Sequence, residues 1–145
     1  EPELTAAVIH DGWYCTGDLA RIDADGYIFI TGRQSRFSKI GGEMVPHELV
    51  ENKLVELFPA ETKQFAVTGC KDPRRGERLL VFHTIEGLDT TQVIGKLRES
   101  GMPNLWIPKS DDFIAIPVIP LLASGKLDIQ TLHRLAVEYA AAKAE

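Results

Sequence analysis

The strongest constraint on the fold is an alternation of helical and strand patterns that begins at Pro46. Residues 46–58 carry apolar side chains at helical spacing, Pro46 suits a first helical turn, and Pro59 ends the pattern. The elements predicted after it are strands over 64–69 and 78–85, a helix over 89–99, a strand over 112–116 and a helix over 128–142. This order predicts an α+β fold.

The part of the chain before this alternation is predicted to be β-rich. Strand character is clear at 21–22 and 27–31, and the intervening Asp-Ala-Asp-Gly predicts a hairpin turn. The next segment, GRQSRFSKIGGEMV, is basic, contains glycine and lacks a clear period. It indicates a linker or a functional loop.

Composition narrows the class of protein. A chain of 145 residues can bury one core, and its net charge of −5 disfavours non-specific binding to nucleic acid. The two cysteines form no CxxC pair, which favours a reducing compartment. No apolar run reaches bilayer length and no signal peptide is recognised. The chain starts without methionine, so we expect a fragment of a longer protein.

Several familiar signatures are excluded by their spacing. Around Gly125-Lys126 the sequence lacks the first glycine and the Ser or Thr of a P-loop. The glycine of Asp-Ala-Asp-Gly comes too early for an EF-hand. The histidines are scattered without ligand spacing, so no metal site is predicted: His10, His47, His83 and His133. No nucleophile motif of a hydrolase is present.

Three polar clusters remain: residues 14–18, 32–43 and 124–128. Singly, each has an ordinary explanation. Thr-Gly-Asp can be a turn, the paired glycines can serve a loop that needs positive φ, and Lys126 can be a solvated surface lysine.

Taken together and in order, GWYCTGDLARIDADGYIFITGR, KIGGEMVPHELVE and PLLASGKLD resemble the C-terminal part of the adenylate-forming enzyme superfamily. The resemblance implies ATP-dependent formation of an acyl-adenylate, followed by transfer of the acyl group to a phosphopantetheine thiol. It also implies a large N-terminal domain, which binds ATP, Mg²⁺ and the acid, and a small mobile α+β C-terminal domain. Residues 1–33 would then end the large domain, and residues 34–145 would form the mobile one.

The resemblance assigns roles to individual residues. Asp18 would accept hydrogen bonds from the ribose hydroxyls, and Arg33 would donate to the ribose or a phosphate. Ser35 stands at the hinge, where the family usually has an acid. The loop beside the pantetheine tunnel would contain Lys39, Gly41, Gly42 and Glu43.

The C-terminal motif implies that Lys126 bridges the acyl carboxylate and the α-phosphate during adenylation. Pro46 and Glu48 come one place earlier than in the usual family pattern, and only Glu51 keeps its register. That shift is typical of a subgroup.

These details are similar to the acyl-carrier-protein synthetase modules of bacterial bifunctional 2-acylglycerophosphoethanolamine acyltransferases. The similarity implies a fatty acid substrate, an acidic acyl carrier protein as acceptor, and a membrane-associated full-length protein at the cytoplasmic face, with the fragment itself soluble. Candidate docking residues are Arg33, Arg36, Lys39, Arg74, Arg75 and Arg78, which can equally be ordinary solvated charges.

Two alternatives stay open: an acyl-CoA ligase of another substrate class, and a non-catalytic module that binds carrier protein or nucleotide. The chain alone is expected to be inactive, since the acyl pocket would lie in the large domain.

Overall fold

The computed structural model describes residues 2–143, which form two units, residues 2–36 and 37–143. The first unit contains α1 (Pro2–Val8), the antiparallel pair β1 (Ile9–His10) and β2 (Trp13–Tyr14), the antiparallel pair β3 (Asp18–Ile22) and β4 (Ile28–Arg33), and a 3-10 turn (Gln34–Arg36). The β3–β4 hairpin and its turn confirm the prediction. In that turn, the Asp23 carboxylate accepts from the backbone N–H of Asp25 at 3.0 Å and of Tyr27 at 2.9 Å.

The β-rich expectation is wrong for residues 2–8, which are helical. Pro2 has no N–H, which costs nothing in the first helical turn, where backbone N–H groups have no acceptor within the helix. Glu3 places an acid in the same turn, where the helix dipole favours a negative charge. These helix-start signals cover only two residues. The strand patterns later in the segment are longer, and they led to the prediction of a β-rich region.

The second unit contains β5 (Phe37–Ile40), β6 (Glu43–Pro46), α2 (His47–Leu57), β7 (Phe65–Asp72), β8 (Gly76–His83), α3 (Thr90–Glu99), β9 (Phe113–Ala115) and α4 (Ile129–Ala142). The sheet order is β6-β5-β8-β7. Along one edge of β8, Gly76 pairs with β5, and Val81 to His83 pair in parallel with β9. This α+β arrangement is the predicted fold class.

The core lies on both faces of the sheet, because side chains alternate along β7 and β8. Phe65, Val67, Leu79 and Val81 join one buried cluster with residues of α2 and α3. Ala66, Cys70, Leu80 and Phe82 join a second cluster with Leu132 and Ala136 of α4. The sheet is therefore covered by helices on both sides.

The segment GRQSRFSKIGGEMV, predicted to be a linker or a functional loop, is regular over most of its length. It contains the 3-10 turn and the β5–β6 hairpin, whose turn uses positive φ at Gly41 (57°) and Gly42 (94°). Paired residues with positive φ suit a tight hairpin turn. The paired glycines are the sequence signal for this hairpin turn. The flanking strands are short and alternate only weakly, so the sequence did not reveal them.

The other boundaries differ from the predictions by a few residues. Helix α2 begins at His47 with Pro46 as its N-cap, and α3 begins after an N-cap by Asp89. Strands β7 and β8 extend toward each other beyond prediction, because the Asp72 carboxylate accepts from Arg74 and Arg75 N–H at 2.9 Å and closes a tighter turn. These hydrogen bonds lower the pKa of Asp72.

Candidate functional site

Asp18 and Arg33, the two predicted nucleotide-binding residues, lie side by side in the first unit. They are directly opposite in the β3–β4 register, and Arg33 Nε lies 2.7 Å from Asp18 Oδ1. The Arg33 side chain is 65% exposed and that of Asp18 is 23% exposed. The carboxylate can accept hydrogen bonds from a diol, and the neighbouring guanidinium can donate hydrogen bonds to a phosphate.

The predicted hinge residue, Ser35, lies next to this pair. Thr16, Gly17, Arg33, Gln34 and Ser35 line an open concavity of about 340 Å³. The Gln34 N–H donates to the Gly17 carbonyl at 2.8 Å, which ties the 3-10 turn to the Thr-Gly-Asp segment. The structure thus groups Asp18, Arg33 and Ser35 at one place, while their roles stay predictions.

In the second unit, the predicted pantetheine loop is the tip of the β5–β6 hairpin. Lys39, Gly41, Gly42 and Glu43 are all exposed, whereas Ile40 and Val45 are buried. The Gly41 N–H donates to the Arg75 carbonyl at 2.9 Å, and a Cβ at Gly41 would lie 3.5 Å from Leu105. The tip therefore contacts both the β7–β8 turn and the connector after α3.

That turn and connector form a basic cleft that the sequence did not reveal. Its cationic side chains are Arg75, Arg98 and Lys109, and Asn104 and Ser110 add polar groups to a volume of about 610 Å³. Arg98 and Lys109 come from separate elements with no shared motif, so only the fold brings them together. Of the candidate docking residues, Arg75 lines this cleft, whereas Arg78 pairs with buried Asp112 at 2.6 Å.

Lys126, the predicted adenylation residue, is exposed on a tightly closed loop. The Lys126 carbonyl accepts from Leu122 N–H at 2.7 Å, Gly125 adopts a positive φ of 77°, and Leu121 bridges Leu127. The loop ends at Asp128, which caps α4 through Thr131 N–H at 3.1 Å. The backbone and hydroxyl donors of Thr131 lower the pKa of Asp128.

The hairpin tip and the Lys126 loop connect to opposite ends of β8. Ile40, beside the tip, pairs with Gly76 at the start of β8. Ala115 pairs with His83 at the end of β8, and the chain leaves there toward the Lys126 loop. β8 has eight residues, so Gly76 and His83 at its two ends lie about 25 Å apart at the usual rise per strand residue.

Within residues 2–143, no three His, Cys, Asp or Glu side chains lie close enough to hold a metal ion. No helix in the same range is both long and apolar enough to cross a bilayer.

The chain was compared with protein families, curated proteins and solved structures. No protein-family model matches the chain. It is 34% identical over 133 residues to enterobactin synthase component E of Escherichia coli K12, covering 91% of this chain and 24% of that protein. It is 32% identical over 132 residues to the medium-chain fatty-acid–CoA ligase of the same organism, covering 88% of this chain and 23% of that protein.

The chain is also similar to solved structures of such enzymes. ATP-bound MatB from Rhodopseudomonas palustris matches with a TM-score of 0.70 at 26% identity, over 92% of this chain and 26% of that one. The fatty acyl CoA synthetase of Mycobacterium tuberculosis matches with a TM-score of 0.64 at 26% identity, over 97% of this chain and 27% of that one. The chain spans about a quarter of the length of these proteins.

The homologues and structural neighbours of this chain are thus AMP-binding ligases of the adenylate-forming superfamily, as the sequence motifs predicted. They include ligases of fatty acids and of aromatic acids such as anthranilate. The α+β fold and the quarter-length match are those of a small C-terminal domain in such enzymes.

Proposed function

We propose that this chain is the C-terminal part of an AMP-forming fatty-acid ligase that transfers the acyl group to acyl carrier protein, in a bifunctional lysophospholipid acyltransferase. In the first half-reaction the acid's carboxylate attacks the α-phosphorus of ATP and pyrophosphate leaves. In the second, the phosphopantetheine thiol attacks the acyl carbonyl and AMP leaves. Membership of the superfamily is supported by the homologues and by the fold.

The observation that carries the proposal is that the hairpin lies at the start of β8, whereas β9, the strand that leads to the Lys126 loop, ends at the opposite end of β8. Two sites on opposite ends of one rigid sheet cannot both face the same reacting group in one orientation. A domain that rotates about Ser35 would present Lys126 for adenylation and the hairpin for thioester formation. The same packed core would carry both sites.

In this proposal, the remaining residues act on the nucleotide and on the acceptor. Asp18 accepts from the ribose hydroxyls, and Arg33 donates to the ribose or a phosphate. Gly41 and Gly42 let the backbone approach the phosphopantetheine arm, with Lys39 and Glu43 beside it. Mg²⁺ is held mainly by the large N-terminal domain.

The acceptor assignment is supported by the basic cleft beside the hairpin tip. Arg75, Arg98 and Lys109 offer three cations at the entrance that an acidic carrier protein would approach. A specific observation also supports the alternative, a ligase that uses CoA, because the relatives include several CoA ligases. Assays of the complete enzyme with holo-acyl-carrier-protein and with CoA separate the two: turnover of CoA alone would contradict the carrier-protein assignment.

Lys126→Ala in the complete enzyme tests the core of the proposal. A positioned cation in a dry site contributes strongly to the transition state, so adenylation should fall by about 10²- to 10³-fold. Thioester formation from supplied acyl-adenylate should be largely retained. Lys71→Ala, at an exposed lysine of β7, is the matched control.

An equal loss in both half-reactions would show that Lys126 does not have this role. Adenylate formation by the 145-residue chain alone would contradict the proposed need for a large domain. Membrane association of the full-length protein at the cytoplasmic face is part of the proposal, and co-sedimentation of that protein with membranes tests it.

A further inference from the structure

A buried side-chain hydrogen bond closes the base of the β5–β6 hairpin. Ser38 Oγ lies 2.8 Å from His47 Nε2, and each residue is only 1% exposed. Ser38 belongs to β5 and His47 is the first residue of α2, so the pair brackets the hairpin turn. The hydrogen bond links the start of the hairpin to the helix that follows it.

The backbone at this end of the hairpin has one donor fewer than usual. Phe37 is paired with Pro46, which has no N–H to contribute to the ladder. The Ser38–His47 hydrogen bond joins the residue that follows Phe37 in β5 to the residue that follows Pro46 at the start of α2. It supplies a polar link at a point where the strand pairing alone is weak.

The β5 strand is also held from its other sides. A Cβ on Gly69 of β7 would collide with Ser38 Oγ, so glycine at this position leaves the room that the hydroxyl occupies. The Lys39 N–H donates to the Glu77 carboxylate of β8. Ser38 is therefore fixed between α2 and β7, three residues before Gly41 of the hairpin turn.

The tip, in contrast, is exposed to solvent. Gly41, Gly42, Glu43 and Met44 are all exposed, and the Gly41 N–H donates across to the Arg75 turn. In a short hairpin with a buried base and an exposed tip, the base sets the direction in which the tip extends. A small change in the direction of β5 at Ser38 shifts the glycines at the tip.

We propose that Ser38 and His47 are positioning residues, whose hydrogen bond sets where the Gly41-Gly42 tip lies for the thiol acceptor. This inference rests on the proposed function of the hairpin in thioester formation. Both residues are buried, so they act through the position of the tip, and we expect the effect in the second half-reaction, to which the tip is assigned. The adenylation half-reaction, assigned to Lys126, does not depend on it.

The test uses Ser38→Ala, His47→Leu and the double variant S38A/H47L. Each single variant breaks the Ser38–His47 hydrogen bond and leaves one buried polar group behind, which lowers stability, whereas the double variant removes both groups and should recover part of that stability. In the complete enzyme, the double variant should still raise the KM for CoA and for holo-acyl-carrier-protein by about tenfold, because small misplacements of a binding element are costly. The rate of ATP–pyrophosphate exchange should stay unchanged.

A second measurement is independent of activity. In the 145-residue chain, amide hydrogen exchange at residues 40–44 should be about tenfold faster in the double variant than in the wild type, because the local opening becomes easier. Leu132→Val, in the α4 cluster on the other face of the sheet, is the control for general destabilisation and should leave both readouts unchanged.

The outcomes separate the two claims. A double variant with wild-type KM and wild-type exchange at 40–44 would show that the hydrogen bond is only structural. A wild-type enzyme that forms no acyl-adenylate from any fatty acid would refute the proposed function, while the exchange measurement would still decide whether the hydrogen bond positions the tip.

Discussion

Strands β4 and β8 each contain a short apolar run, IFI in β4 and LLVF in β8, but the two runs lie in opposite environments. In β4, Ile28 and Ile30 are 66% and 65% exposed. In β8, Leu80 and Val81 are fully buried, because helices cover both faces of their sheet. Apolar runs of this kind are typical of strands, but they do not show what covers the strand.

The contrast extends to the whole of the two units. Among the described side chains of residues 2–36, no apolar one is buried, whereas residues 37–143 contain two buried clusters. Exposed apolar rows of this kind mark interaction surfaces. In the proposed enzyme, Tyr27, Ile28 and Ile30 would pack against the rest of the large domain, and the second unit would carry its own core.

Stability measurements should show the largest difference between the units. Phe82→Ala, at a residue 2% exposed, should lower the free energy of unfolding by about 3–5 kcal/mol. Phe29→Ala, at a residue 43% exposed, should cost less than about 1 kcal/mol. Urea unfolding followed by far-UV circular dichroism measures both, and equal losses would mean that the first unit has a core of its own.

Breaking an ion pair should also destabilise the second unit more than the first. Asp112 is 3% exposed at its side chain and pairs with Arg78, so Asp112→Ala leaves a partly buried cation unpaired and should cost about 3 kcal/mol. Asp18→Ala breaks the exposed pair with Arg33 and should cost at most about 1 kcal/mol. The same urea experiment measures both variants, and a larger loss for Asp18→Ala would reverse the ranking.

A pH dependence should come from the second unit. Burial lowers the pKa of His83, and an interaction with the Ile85 backbone opposes this only in part. Because the unfolded chain then binds the proton more tightly, stability should be complete above the ordinary histidine pKa of about 6.5 and fall as the pH drops toward the folded pKa. His83→Phe should flatten the profile between pH 7 and pH 5. The exposed His133→Gln should leave it unchanged, and a wild-type profile that is already flat would contradict the assignment.

The smallest effect is spectroscopic. Trp13 in the first unit is 79% exposed, whereas Trp106 in the second is half-buried. Acrylamide should therefore quench two populations of tryptophan fluorescence, and Trp13→Phe should remove the readily quenched one. A single population in the wild-type chain would mean that Trp13 is covered.

The sequence predicted the fold where its patterns were long. Helix α3 with its Asp89 cap, helix α4 and the β3–β4 hairpin follow from spacing and turn chemistry. The β5–β6 hairpin was missed, because four-residue strands offer too few alternating positions to count. Helix α1 was missed for the same reason of length.

The candidate site was predictable where motifs carry it. Asp18 and Arg33 were predicted from two different motifs. The β3–β4 register places Arg33 Nε 2.7 Å from Asp18 Oδ1. Arg98, Lys109 and the Ser38–His47 pair could not be found, since residues far apart in sequence form these groups only after the sheet is assembled. The exposure of β4 was also hidden, because periodicity reports which face is apolar and not whether that face is covered.

The parallel pairing of β9 with β8 has a consequence for the order of folding. The hairpins β5–β6 and β7–β8 close short loops, whereas β9 must return to β8 across α3, and closing a longer loop has a larger entropic cost. We expect β9 to dock late, after the central hairpin has formed. The Lys126 loop follows β9, so the residue with the most demanding proposed chemistry is also among the last to reach its place.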